Sequence, residues 1–432
     1  MKRGHEECSP SPPSKTRKIR GFQILHLPTD ILLYCLSFAV ESYTDVLALT
    51  RVSRDLQETI RTNDCDFRHV RVHLSDDNVG AIATVYPFWD NFIINGSLSP
   101  LTLPVVLPSL RSVFLLSACS RTIMDLAQAP RLRQLTINSA GHCDVEPLRM
   151  ALPALPQLET LSIRYITVCP CLAAALPSGL RRLSARRISS NGASAMPLLP
   201  RLTRLRLTAF CEDARALSAK CPSLRKYYIQ QYGSHQRDSV MEFALFRQLL
   251  DLQFSAHGCY TVPLSLTTLA TFQSNALLGP LPRHLQQLTL LQKKGLPLLT
   301  EQLDRLCSLP SLMHVSVSDV QPSTLQQLSL LPRFESFQVT YGGNLNLLQF
   351  PLRRLRALTI NNCDDARLFY QVTAMESLVD LTIVESRVSQ IVVHNLLKAL
   401  PQVTEFSVWG CANIDANSLR ANFPGVMIDY MA

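Results

Sequence analysis

Along most of the chain the apolar residues recur in one short pattern: an apolar position, two variable ones, an apolar, one variable and a last apolar, often introduced by Pro or Leu-Pro. It is plainest in Pro130-Arg-Leu132-Arg-Gln-Leu135-Thr-Ile137, Pro156-Gln-Leu158-Glu-Thr-Leu161-Ser-Ile163, Pro200-Arg-Leu202-Thr-Arg-Leu205-Arg-Leu207 and Leu352-Arg-Arg-Leu355-Arg-Ala-Leu358-Thr-Ile360. The last two apolar positions alternate with variable ones, the period of a strand buried on one face. With the middle apolar residue as a marker, the pattern repeats at Val70, Phe92, Val113, Leu135, Leu161, Leu183, Leu205, Tyr227, Leu252, Leu269, Leu288, Val315, Phe337, Leu358, Leu381 and Phe406. The mean spacing is about 22 residues, too few for one unit to bury its own Leu face. The pattern therefore predicts an α/β solenoid over 65–432, each unit giving a short parallel strand and a return segment. Neighbouring strands would stack ~4.8 Å apart on the concave face. The return at 211–220 reads as a helix, whereas 176–180 and 281–285 are too short and proline-rich for one. Between Leu252 and Leu288 the spacing runs short and then long, and the register is least defined there.

Upstream the period changes. From Ile24 to Ile60 apolar residues fall at helical spacing in three bursts, 24–28, 31–38 and 46–60, which predicts three helices. Pro28 suits a first helical turn, and Thr44 and Asp45 suit a cap. So short a segment, assigned to 21–64, shows more apolar surface than its own core can hide, and so calls for a partner. Residues 1–20 differ again: Ser9-Pro10-Ser11-Pro12-Pro13 followed by Lys15, Arg17, Lys18 and Arg20 reads as a disordered basic tail.

Leu27-Pro28-Thr29-Asp30-Ile31-Leu32, Leu36-Ser37-Phe38, Asp45-Val46-Leu47-Ala48-Leu49 and Val52-Ser53-Arg54 together resemble the F-box motif in order and spacing. The departure is at Leu56, near which the family usually carries an aromatic. The downstream pattern resembles leucine-rich repeats, with Cys363 and Cys411 where that family places Asn or Cys to bond backbone at a turn. The chain thus resembles the F-box leucine-rich-repeat proteins, substrate-recognition subunits of SCF-type ubiquitin ligases. The resemblance implies a three-helix F-box whose Leu27, Pro28, Ile31, Leu32, Leu36, Phe38, Leu47, Leu49 and Val52 dock on a Skp-family adaptor and, through it, a cullin scaffold. The repeats would hold a protein substrate for ubiquitination and proteasomal degradation. A repeat scaffold acting outside ubiquitin transfer stays open as the alternative.

Strand alternation turns the variable residues beside the markers to the concave face. Arg164, Arg182, Arg186, Arg204, Arg206 and Lys226 then crowd four neighbouring strands, with Tyr228 beside them, while later repeats hold neutral or acidic residues at the same positions. Guanidinium groups pair with carboxylate or phosphate through two bonds, which makes this cluster the candidate substrate site for an acidic or phosphorylated segment. A solvated basic face is the plainer reading of the same residues.

Composition adds limits. With 47% hydrophobic and 17% charged residues the chain is apolar enough for a large core. Its net charge of +9 suits an acidic partner. No basic stripe interleaved with stacking aromatics appears, so nucleic acid is not the expected partner. Thirteen scattered cysteines and no secretory leader point to a reducing compartment, cytoplasmic and/or nuclear. Cys169-Pro-Cys171 and the His69/His73 pair have metal-like spacing without a second ligand pair, and both read as structural. No apolar run is long enough for a membrane span. No phosphate loop, nucleophile elbow or zinc-protease motif occurs, so neither an enzyme nor a cofactor is expected.

Overall fold

In a computed structural model, the described residues are 72–74, 91–94 and most of 110–431, with the longest breaks at 231–239 and 292–308. The segments 1–20 and 21–64, and with them every adaptor-binding candidate, lie outside the described residues.

One parallel sheet of 17 strands runs through the molecule. Its first half comprises β1 (Val72–Leu74), β2 (Asn91–Ile94), β3 (Ser112–Leu115), β4 (Gln134–Ile137), β5 (Thr160–Val168), β6 (Arg182–Ile188), β7 (Arg204–Leu207) and β8 (Lys226–Gln230). After β8 the chain inserts β9 (Val240–Glu242) elsewhere, returns as β10 (Asp251–Ser255), leaves as β11 (Gly258–Thr261), returns as β12 (Thr268–Phe272) and leaves as β13 (Asn275–Leu277). The main sheet then continues through β14 (Gln287–Leu291), β15 (His314–Ser318), β16 (Ser336–Thr340), β17 (Ala357–Asn361), β18 (Asp380–Val384), β19 (Glu405–Trp409) and β20 (Met427–Met431). This is a leucine-rich-repeat solenoid.

The apolar alternation does what the sequence requires of it. Leu135 and Ile137 of β4 are buried, Gln134 is exposed, and the same buried-open rhythm holds in β7, β16, β17 and β18. From Phe92 to Phe406 every marker stands opposite the next in register. Two corrections come at the ends. The residue opposite Phe92 is Val72, not Val70. A further strand, β20, places Ile428 opposite Phe406.

The register at Leu252, Leu269 and Leu288 is regular after all. The spacing is short because the returns change type: β9, β11 and β13 form a second, 3-stranded parallel sheet. A strand advances ~3.3 Å per residue against 1.5 Å for a helix, so an extended return needs fewer residues. Where helical returns give way to strands the core turns aromatic. Tyr227 meets Phe243 and Phe246 edge-on at 5.9 and 5.5 Å, and Phe254 meets Phe243 at 5.1 Å and Tyr260 at 4.8 Å.

Elsewhere the returns are short helices: α1 (Ser120–Leu126), α2 (Val145–Ala151), α3 (Pro170–Ala174), α4 (Ser190–Ala195), α5 (Ala214–Lys220), α6 (Pro322–Ser329), α7 (Ala366–Val372), α8 (Gln390–Ala399) and α9 (Ala416–Asn422). α5 occupies the 211–220 segment read as helical; 176–180 and 281–285 are turns. Several starts are capped by polar side chains that accept backbone N–H bonds, as in Ser189 from Gly192 (3.1 Å), Asp213 from Ala216 (2.8 Å) and Asp415 from Asn417 (3.0 Å).

The last repeats share one turn. The residue after β17, β18 and β19 is left-handed each time: Asn362 (φ 51°), Glu385 (φ 45°) and Gly410 (φ 62°). The next residue, Cys363, Ser386 or Cys411, is buried. Cys363 N donates to Ser386 Oγ (3.0 Å), and Ser386 N donates to Cys411 Sγ (3.4 Å). The turn role suggested by the sequence is present at Cys411, whose sulfur bonds backbone, and the Ser386 hydroxyl fills it in the preceding turn.

Candidate functional groove on the concave face

Two outward rows of side chains follow from the register. One runs Thr160, Arg182, Arg204, Lys226, Asp251, Thr268; the next runs Ser162, Ser184, Arg206, Tyr228, Gln253. Over β3 to β10 a groove of about 1190 Å³ is lined by part of these rows. Arg164, Arg182, Arg204, Arg206 and Tyr228 all line it, together with Ser162, Ser184, Gln230, Gln253 and Ser255.

Arg186 and Lys226 do not line it. β5 carries an irregularity between Ile163 and Thr167, with three residues where β6 has only Arg186. The Arg186 side chain is exposed, and its carbonyl accepts from Thr208 N (2.8 Å) and Ala209 N (2.7 Å). Lys226 is neutralised instead: its Nζ lies 3.4 Å from Asp251 Oδ2. The same carboxylate oxygen accepts the Tyr228 hydroxyl at 2.5 Å. Burial, then the bond and charge of Asp251, push the Tyr228 phenol up to about 12, against the pull of Arg204 and Arg206. Tyr228 is therefore a protonated donor at neutral pH, held at the boundary where the basic rows end.

The groove arginines differ from others in the same repeats. Arg133 and Arg181, just before their strands, reach Glu159 at 3.9 and 3.6 Å. Among the described residues no carboxylate lies within ion-pair distance of Arg164, Arg182, Arg204 or Arg206. Their charges are left for a ligand or for solvent. Ser184, in register with Arg206, adds a buried Oγ that has no hydrogen-bond partner. A concave wall of low dielectric concentrates such a field, so the arrangement suits an anionic chain lying across the strands.

The far end of the same face has the opposite sign. Asp380 and Glu405 stand directly opposite each other, and Asp429 accepts the Trp409 indole N–H at 3.3 Å. Burial, then the charge of Glu405, raise the Asp380 carboxyl above its ordinary range.

Asp251 is the residue that sequence reading missed. It precedes marker Leu252 as Lys226 precedes marker Tyr227, so the shared repeat position was the available signal. Among the described residues no group of three or more His, Cys, Asp and Glu is placed to hold a metal ion, and no helix is long and apolar enough to cross a membrane.

No family model matches this sequence, and no curated protein matches it. Solved structures that it resembles include a leucine-rich-repeat protein of Leptospira interrogans (14% identity, 86% of this chain and 98% of that one, TM-score 0.40). An internalin of Listeria monocytogenes shows 15% identity over 73% of this chain and 85% of that one, TM-score 0.35. Rad7, in its yeast complex with Elc1, shows 16% identity over 93% of this chain and 91% of that one, TM-score 0.36.

Proposed function

We propose that this chain is a non-catalytic substrate-recognition subunit of an SCF-type ubiquitin ligase, whose concave groove takes an acidic or phosphorylated segment of a protein substrate. The observation that carries the binding half is the set of unneutralised guanidiniums of Arg164, Arg182, Arg204 and Arg206 in one groove. What supports the ligase half is the F-box resemblance of Leu27, Pro28, Ile31, Leu32, Leu36, Phe38, Leu47, Leu49 and Val52. In this reading the bound segment crosses β5 to β8, its anionic groups meet the arginines, and Tyr228 packs at the end of the subsite.

Affinity purification of the full chain tests both halves. The wild type is expected to recover a Skp-family adaptor with a cullin and a set of substrates. Arg182→Glu with Arg204→Glu is expected to lose the substrates, at a cost of about 2–5 kcal/mol of binding, and to keep the adaptor. Leu32→Asp with Leu36→Asp is expected to lose the adaptor, because burying unpaired carboxylates costs several kcal/mol. Substrate capture unchanged by the arginine reversals at both low and moderate salt refutes the groove assignment. An adaptor recovered without cullin refutes the ligase assignment.

A further inference from the structure

Cys169 and Cys171 stand apart from the other described cysteines. Cys211, Cys221, Cys363 and Cys411 are buried, whereas Cys169 is half-buried and Cys171 is exposed. The pair's sulfurs lie 2.9 Å apart, less than an ångström beyond the ~2.05 Å of a disulfide bond. Their backbone is anchored on both sides. Cys169 N donates to Thr167 O at the end of β5 (3.0 Å), and Cys169 O accepts from Ala173 N in α3 (2.8 Å). Pro170 between them has a fixed φ, so little chain freedom remains to be lost on closing a ring.

We propose that Cys169 and Cys171 form a thiol–disulfide exchange site that closes reversibly to an intrachain disulfide, with a low-molecular-weight disulfide such as glutathione disulfide as oxidant. The proposal does not rest on the groove or on the ligase reading. Cys169 is the attacking sulfur. Burial opposes its ionisation, but the contact with the Cys171 sulfur and the backbone N–H groups at the start of α3 hold its thiol below the ordinary range. Cys171 is held higher by the same contact, which suits the resolving role. The Cys169 thiolate attacks one sulfur of the oxidant, whose S–S bond breaks and releases one thiolate. Cys171 then loses its proton and attacks Cys169 Sγ, and the mixed disulfide breaks to release the second thiolate. Two protein thiols are oxidised to one disulfide, one external disulfide is reduced to two thiols, and the two protons end on those thiols. A small ring exposed on one side is the labile kind of disulfide, readily reopened by excess thiol.

The test uses the full chain equilibrated in glutathione buffers of graded oxidised-to-reduced ratio, quenched in acid, alkylated and digested with trypsin. Residues 165–181 form one tryptic peptide holding both cysteines. The expected result is a peptide two hydrogens lighter and resistant to alkylation, half-formed at a ratio at least about tenfold more reducing in the native chain than in urea. Cys171→Ser, a near-isosteric change at an exposed position, is expected to keep glutathione on Cys169 as a lasting mixed disulfide. Two outcomes overturn the proposal: a native chain whose two thiols stay alkylatable throughout, or one that closes no more readily than the denatured chain. Failure of the variant to trap glutathione on Cys169 overturns the order of attack.

Discussion

Asp251→Asn is the most informative single change, because one carboxylate restrains both a lysine and a tyrosine at the end of the basic rows. At 3.4 Å the Lys226–Asp251 attraction is about 5 kcal/mol for an effective dielectric near 20. The lysine side chain is 41% exposed and the aspartate 13%, and solvent screening with the relief of desolvating Asp251 reduces the net value to roughly 1 kcal/mol. The Tyr228 bond to a charged acceptor is worth ~1.5–3 kcal/mol and a neutral amide recovers about half of it. The expected loss is therefore roughly 2 kcal/mol in urea unfolding followed by tryptophan fluorescence. Tyr228→Phe should cost about 1.5 kcal/mol, and the double variant less than the sum by about 1 kcal/mol. Tyr228 also sets a pH dependence. Its folded pKa, about 12, lies above the ordinary ~10, so its contribution is whole below pH ~10 and is lost as pH rises towards 12. In Tyr228→Phe that alkaline fall should flatten. Asn at 251 also releases a positive charge beside the groove, so an acidic peptide should associate faster at low salt and no faster at high salt. A loss below about 0.5 kcal/mol with no coupling between the two sites would show that Asp251 restrains nothing, and the reasoning about the end of the subsite would fall with it.

Other changes read the backbone and the far end of the concave face. Glu385 carries a left-handed backbone at a cost glycine avoids, so Glu385→Gly should stabilise the chain by about 0.5–1 kcal/mol, as a rise in urea midpoint. Gly410→Ala should do the reverse, since its Cβ would meet Glu385 Cγ at 3.1 Å in a left-handed conformation. Gly192→Ala, normally favourable in a helix, should destabilise by about 2 kcal/mol, because its Cβ would lie 2.6 Å from Val168 O. Asp380→Asn removes a like charge directly opposite Glu405 and should stabilise by roughly 0.2–1 kcal/mol at neutral pH. The raised Asp380 pKa means that the wild type regains this difference as pH falls below it, so the benefit should vanish in acid.

The parallel sheet was legible because alternation within each strand and the marker spacing agree from Phe92 to Phe406. The two end misreadings have physical causes. Val70, Val72 and Leu74 alternate without interruption, so two registers a strand period apart fit the segment equally well. Met427–Met431 is an edge strand with Ile428 as its one buried residue, and the leucine pattern is absent there. The concave rows were legible for the same reason as the strands, whereas the exclusion of Arg186 and Lys226 was not. One depends on the irregular pairing of β5 with β6, the other on a carboxylate contributed by the next main-sheet strand. Neither is visible in a position-by-position pattern.

The second sheet, β9 with β11 and β13, has a geometric consequence. A solenoid bends because a helix ~10 Å across on one side is stacked against strands ~4.8 Å apart on the other. Where strands stack on both sides the two layers have equal pitch, and the wedge that turns one unit relative to the next disappears. This stretch is thus expected to bend less than the repeats with helical returns on either side of it. A whole unit added or removed within it would slide the acidic arm away from or towards the basic groove, with little change in its heading. Duplicating a repeat there would change reach alone, and duplicating one among the helical returns would change direction as well.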